Sequence, residues 1–99
     1  MHIISRKTLK EAAERYGGIE SALDAWFRIA NKAAWGSLDD VRKTYPAADG
    51  VTVSDRAYTV FNITGNKFRL IVKIEYEYRK VFIKHVLTHA EYDKEDWKK

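Results

Sequence analysis

From Phe68 to Tyr76, apolar and polar side chains alternate with a single lapse. Phe68, Leu70, Val72, Ile74 and Tyr76 fall on one side of an extended chain. Arg69, Ile71, Lys73 and Glu75 fall on the other, because successive side chains of a strand point to opposite faces. A helix does not match that period, so the segment commits the chain to a sheet with one face on a core. Its neighbours extend the sheet. Tyr58-Thr59-Val60-Phe61-Asn62-Ile63 is β-branched and aromatic, and Thr64-Gly65-Asn66-Lys67 turns it back. A tight connection through Glu77-Tyr78-Arg79 leads to Lys80–Leu87. Unbroken alternation there puts Val81, Ile83, His85 and Leu87 on one face and Lys80, Phe82, Lys84 and Val86 on the other.

The first half of the chain supplies the cover for that sheet. Met1-His2-Ile3-Ile4-Ser5 reads as a strand. Thr8-Leu9-Lys10-Glu11 has the form of a capping box with Thr8 as N-cap. Leu9, Ala12, Ala13 and Tyr16 then recur at helical spacing until Gly17-Gly18. Ile19, Ala22, Leu23, Trp26, Ala30 and Ala33 form the stripe of a second helix. Ser37 heads a third, short helix that ends before Pro46, since the residue preceding a proline is pushed out of the α region. Ala47 to Asp55 reads as loop, with Asp49-Gly50 as a turn. Thr88 and Glu91 form a second capping box and open a short C-terminal helix. The expected class is α+β in the order β-α-α-(α)-β-β-β: an antiparallel sheet with helices on one face, a basic opposite face and a short C-terminal helix.

A chain of 99 residues is expected to form one domain, 1–99. It holds no apolar run of about 18 residues, which argues against a membrane partner. Cysteine is absent; this excludes disulfides and thiolate metal sites and fits a cytoplasmic protein. The net charge of +4 is unevenly placed. Residues 1–55 are neutral. Residues 56–89 hold seven basic side chains, Arg56, Lys67, Arg69, Lys73, Arg79, Lys80 and Lys84, against Glu75 and Glu77. A positive field concentrated in one segment is what a polyanion partner requires, although lysines on a solvated sheet face would read the same way.

The chemistry-bearing residues gather near that segment. His89 is a proton donor and acceptor near neutrality, and Tyr92, three residues on, shares its helix face. Arg69 offers a fork of donors to a phosphate, or a cross-strand ion pair to Glu75 or Glu77. Arg56, Lys67, Lys73 and Lys84 are candidate contacts to flanking phosphates. Asp93, Glu95 and Asp96, crowded among Lys94, Lys98 and Lys99, read as a solvated face rather than a metal site. No phosphate-binding loop, nucleophile elbow or zinc-protease helix occurs, so no cofactor and no metal are expected.

The run Val60-Phe61-Asn62-Ile63-Thr64-Gly65-Asn66-Lys67-Phe68-Arg69-Leu70-Ile71-Val72 and the ending Thr88-His89-Ala90-Glu91-Tyr92-Asp93-Lys94 together resemble the paired signatures of the HigB-type toxins of bacterial toxin–antitoxin modules, within the broader RelE-like group. The opening Ile3 to Leu9 and the region of Trp26 and Trp35 are also similar to that family, while Leu87 stands where it often has glycine. The resemblance implies a RelE-like fold and a toxin that is an mRNA interferase, in many members acting on the ribosome. It also implies a HigA-type helix-turn-helix antitoxin as partner, and an active site formed by the sheet and the C-terminal segment: Arg69, His89 and Tyr92. The expected reaction is metal-independent attack of a ribose 2′-OH on the adjacent phosphate. A non-catalytic RNA- or ribosome-binding module fits the same basic, aromatic sheet. A small DNA-binding subunit fits less well, since no helix is basic enough to read a groove.

Overall fold

The computed structural model describes residues 1–99. The chain runs through β1 (His2–Ile4), α1 (Arg6–Arg15), α2 (Glu20–Lys32), α3 (Leu38–Thr44), β2 (Asp49–Val53), β3 (Arg56–Ile63), β4 (Phe68–Glu75), β5 (Lys80–Thr88) and α4 (His89–Asp93). A single 3₁₀ turn, Asp96–Lys98, follows. The five strands form one sheet in the order β1-β5-β4-β3-β2. The β2-β3-β4-β5 meander is antiparallel, and β1 adds to β5 in parallel. The α+β class and the order of helices agree with the sequence.

Three local expectations are corrected. The first helix starts at Arg6, not after Thr8; Ser5 precedes it in a left-handed conformation with no side-chain cap. The chain leaves β1 at Ile4 and must turn within one residue, so the helix begins before a Thr8 cap could form. Glu11 instead lies 3.6 Å from Lys7 on the helix surface. Secondly, Asp49–Val53 is a strand rather than loop. Its alternation is weak, and its existence rests on pairing with Arg56–Val60.

The third correction reaches the functional face. Ile71 pairs with His85 but Val72 pairs with Ile83, which leaves Lys84 as the extra residue of a bulge in β5. The bulge reverses the alternation beyond it. Val81, Ile83 and Val86 enter the core. His85 and Leu87 turn to the opposite face, across from Ile71 and Arg69.

The helix side of the sheet holds the core. Phe61, Leu70, Val72, Val81 and Ile83 meet Leu9, Leu23, Trp26, Ala30 and Val41. Trp26 lies edge-on to Phe61 at 5.4 Å, and Trp35 and Tyr45 close around the same ring. Ser37 caps α3 by accepting the Asp40 N–H, as its sequence predicts. Gly50 lies close to α3, where a Cβ would stand 3.0 Å from the end of the Leu38 side chain and would press on it.

The second face is not bare. Val60 and Ile71 belong to it, yet they are 3% and 0% exposed. Tyr92 and Trp97 of the C-terminal segment supply cover there: Trp97 lies edge-on to Tyr58 at 6.0 Å and is stacked on Tyr92 at 5.5 Å.

Candidate active site

Arg69 is the second residue of β4, the central strand, with Asn62 and Leu87 as its cross-strand neighbours. It faces away from the helices, because Phe68 and Leu70 on either side face them. The guanidinium makes no ion pair with Glu75 or Glu77. Nη1 donates to the carbonyls of Asn66 (3.3 Å) and Phe68 (3.2 Å). Nη2 donates to Asn66 Oδ1 at 2.7 Å and lies 3.3 Å from His89 Nδ1. The Tyr92 ring stands 5.8 Å from its central carbon. Arg69 is only 9% exposed. Buried charges are ordinarily compensated by an opposite charge, and Arg69 is held by neutral acceptors alone. That arrangement favours an incoming anion.

The other side chains arrive through α4, whose placement is fixed by its own first turn. Thr88 accepts the Glu91 N–H, and Glu91 returns a carboxylate oxygen to the Thr88 N–H at 2.9 Å, completing the capping box read from sequence. Glu91 also accepts from the Tyr16 hydroxyl at 2.8 Å and lies 3.7 Å from Arg15. The Thr88 N–H foremost, then the Tyr16 hydroxyl, hold its carboxyl below the usual range. Glu91 thus ties α4 back to α1, while His89 and Tyr92 extend over Arg69. The His89 N–H donates to the Lys67 carbonyl at 2.9 Å, closing the helix start onto the β3–β4 turn.

His89 engages both ring nitrogens. Nε2 lies 2.8 Å from Asp93 Oδ2, and Nδ1 lies 3.2 Å from the Asn66 carbonyl as well as near Arg69. The Tyr92 hydroxyl has its pKa raised, chiefly by burial and then by Asp49. At neutral pH it is therefore a donor, not a base. One ring face lies along Trp97, nearly parallel at 16°.

The basic candidates are spread out. Lys67 is exposed in the β3–β4 turn, directly beside His89. Lys73 is four residues along β4, about 13 Å from Arg69 at strand rise, and pairs with Glu75 at 3.8 Å. Lys84 is exposed in the bulge with its ammonium over Phe82 at 5.6 Å. Arg56 opens β3, six residues from the Asn62 that faces Arg69. These four stand apart from one another, while Arg69, His89 and Tyr92 form the cluster.

Sequence reasoning missed Asn66, which binds both Arg69 and His89, and took Asp93 for a solvated group. It also left Trp97 without a role. Trp97 donates to the Tyr92 carbonyl at 3.3 Å and, with His85, Leu87 and Lys94, lines a groove of about 360 Å³. Burial first, and Lys84 second, lower the pKa of His85, so that imidazole is neutral. A slightly larger groove, about 380 Å³, runs between α1 and α2. Arg6, Lys10, Glu20 and Asp24 line it with both signs of charge, and it contains none of this cluster.

Fold and cluster together define a small α+β protein with a buried, anion-seeking guanidinium beside a histidine. The chain belongs to the HigB toxin family, described as the RelE-like toxic component of a toxin–antitoxin system, whose model matches residues 19–95. It is similar to the mRNA interferase toxin HigB of Escherichia coli strain K12, with 34% identity over 94% of this chain and 88% of that protein. The mRNA interferase HigB of Shigella flexneri matches to the same extent. That of Escherichia coli O6:H1 strain CFT073 is 32% identical over 95% of this chain and 90% of its own length.

Proposed function

We propose that this toxin is a metal-independent mRNA endoribonuclease that acts in the cytoplasm on translating ribosomes. The supporting observation is Arg69, buried without a carboxylate partner and 3.3 Å from His89. In-line cleavage begins when a base takes the proton of a ribose 2′-OH, whose oxygen attacks the adjacent phosphorus. The P–O5′ bond breaks, the 5′-oxygen takes a proton, and a 2′,3′-cyclic phosphate and a 5′-OH are left. Arg69 stabilises the charge that develops on the phosphorane oxygens. His89 acts as base or acid at Nδ1, the nitrogen on the Arg69 side. Tyr92, neutral and a donor, supports the phosphate or the leaving oxygen. Lys67 holds a neighbouring phosphate, with Lys84, Lys73 and Arg56 as further phosphate contacts. A HigA-type helix-turn-helix antitoxin is the proposed partner that silences the activity.

A general acid–base group is worth about 10²–10⁴ in rate. Primer extension on mRNA after induced expression should therefore show cleavage in the wild type and at least a tenfold loss in His89→Ala, with thermal unfolding unchanged. Arg69→Lys should lose as much, because an ammonium cannot span two phosphate oxygens in the same geometry. Wild-type cleavage by His89→Ala removes His89 from the mechanism. The competing reading, a binding module without catalysis, draws on the occupied donors of Arg69. It would be supported by RNA that is retained on ribosomes but never cut.

A further inference from the structure

We infer that Asp93 is a positioning residue that fixes which nitrogen of His89 exchanges protons, so that the two form a dyad aimed at the phosphate on Arg69. The inference rests on the nuclease reading but makes a claim of its own about the free protein. Asp93 Oδ2 lies 2.8 Å from His89 Nε2, one turn along α4. A carboxylate only accepts, so Nε2 carries a proton in this contact. The neutral ring then has its lone pair at Nδ1, where the Arg69 Nη2 donor stands at 3.3 Å. The protonated ring has N–H at Nδ1, where the Asn66 carbonyl stands at 3.2 Å.

Each protonation state therefore finds a complete set of partners, and only Nδ1 changes between them. A histidine in a merely structural role needs one set. Here both sets converge on the atom beside the buried guanidinium, where a scissile phosphate would sit. The groups facing the ring are few. Asp93 comes from α4 and Arg69 from β4, and the β3–β4 turn contributes the Asn66 carbonyl.

The test separates positioning from charge. Long-range proton–nitrogen correlation spectra of the free toxin should show the His89 ring as the Nε2–H tautomer at neutral pH. Asp93→Ala should populate Nδ1–H, drawn by the Asn66 carbonyl. Asp93→Asn keeps an acceptor for Nε2–H but removes the charge. Its maximal rate should fall about tenfold or more. A wild-type ring that is chiefly Nδ1–H overturns the inference, as does an Asp93→Asn maximal rate that coincides with wild type. The tautomer is read without substrate, so an inactive His89 would fail the nuclease reading and leave that result standing.

Discussion

Asn66 is the least conspicuous member of the cluster and the one that holds it together. Its side-chain oxygen and its carbonyl both accept from Arg69, and the carbonyl also meets His89. Asn66→Ala should leave the carbonyl in place but remove the 2.7 Å side-chain contact, so the guanidinium loses its shortest hydrogen bond. We expect a fall in cleavage of roughly tenfold, since about 1.4 kcal/mol corresponds to that factor and a hydrogen bond to a charged group contributes about 1.5–3 kcal/mol. Single-turnover cleavage of a short RNA measures it, and an unchanged rate would show that the side chain only shapes the turn. Arg69 and His89 were legible in the sequence because their types announce the chemistry. Asn66 was not, because an asparagine between Gly65 and Lys67 is what any turn would hold. Asp93 was hidden for a similar reason: among Lys94, Glu95 and Asp96 nothing marks one carboxylate as the partner of an imidazole four residues earlier.

Among the elements, α4 is the smallest and the most consequential. Five residues cannot sustain a helix alone, and the capping box plus Glu91's contacts to α1 hold it over the sheet. Thr88→Ala should cost about 1 kcal/mol, the usual value of a lost N-cap, read by chemical denaturation. Glu91 adds a pH dependence whose sign is fixed. Its pKa is lower in the folded protein than the ordinary 4.5, so the native state binds the proton less readily than the unfolded chain. The stabilisation is complete above the ordinary value and disappears as pH falls through the depressed one. Glu91→Gln, which still accepts both hydrogen bonds, should flatten that acid-side loss in stability measured from pH 6 downwards. An acid limb identical to wild type would place the dependence on another carboxylate. The sequence disclosed this element well, since a capping box is a local signal. It disclosed β2 poorly, since a strand containing Asp49 and Gly50 is defined by its partner.

At the scale of the whole molecule, charge and shape work on opposite schedules. The positive segment 56–89 maps to the sheet, yet the C-terminal residues cover the sheet's middle. Lys67 and Lys84 stay exposed outside that cover, so the sheet is not an open basic plate. Binding of a single-stranded RNA carrying a 2′-deoxy block should weaken with salt at a slope of about 0.7 per phosphate contact. Lys67→Gln and Lys84→Gln should each reduce the slope by about that amount. An unchanged slope would show that the lysine makes no phosphate contact. Net charge was readable from the sequence, but the covering tail was not, because its aromatic contacts join residues far apart in the chain.

The bulge at Lys84 acts on β5 as an inserted letter acts on a reading frame. Up to Ile83 the odd-numbered residues are internal; from Val86 onward the even-numbered ones are. Deleting Lys84 would restore the frame, leaving Ile83 and Val86 inside and His85 and Leu87 outside on an unbroken ladder. Pairing straight through with every residue in place would instead send Leu87 inward, Val86 outward and the base of α4 to the wrong side of the sheet. The tail reaches Arg69 only because the strand that delivers it changes phase on the way.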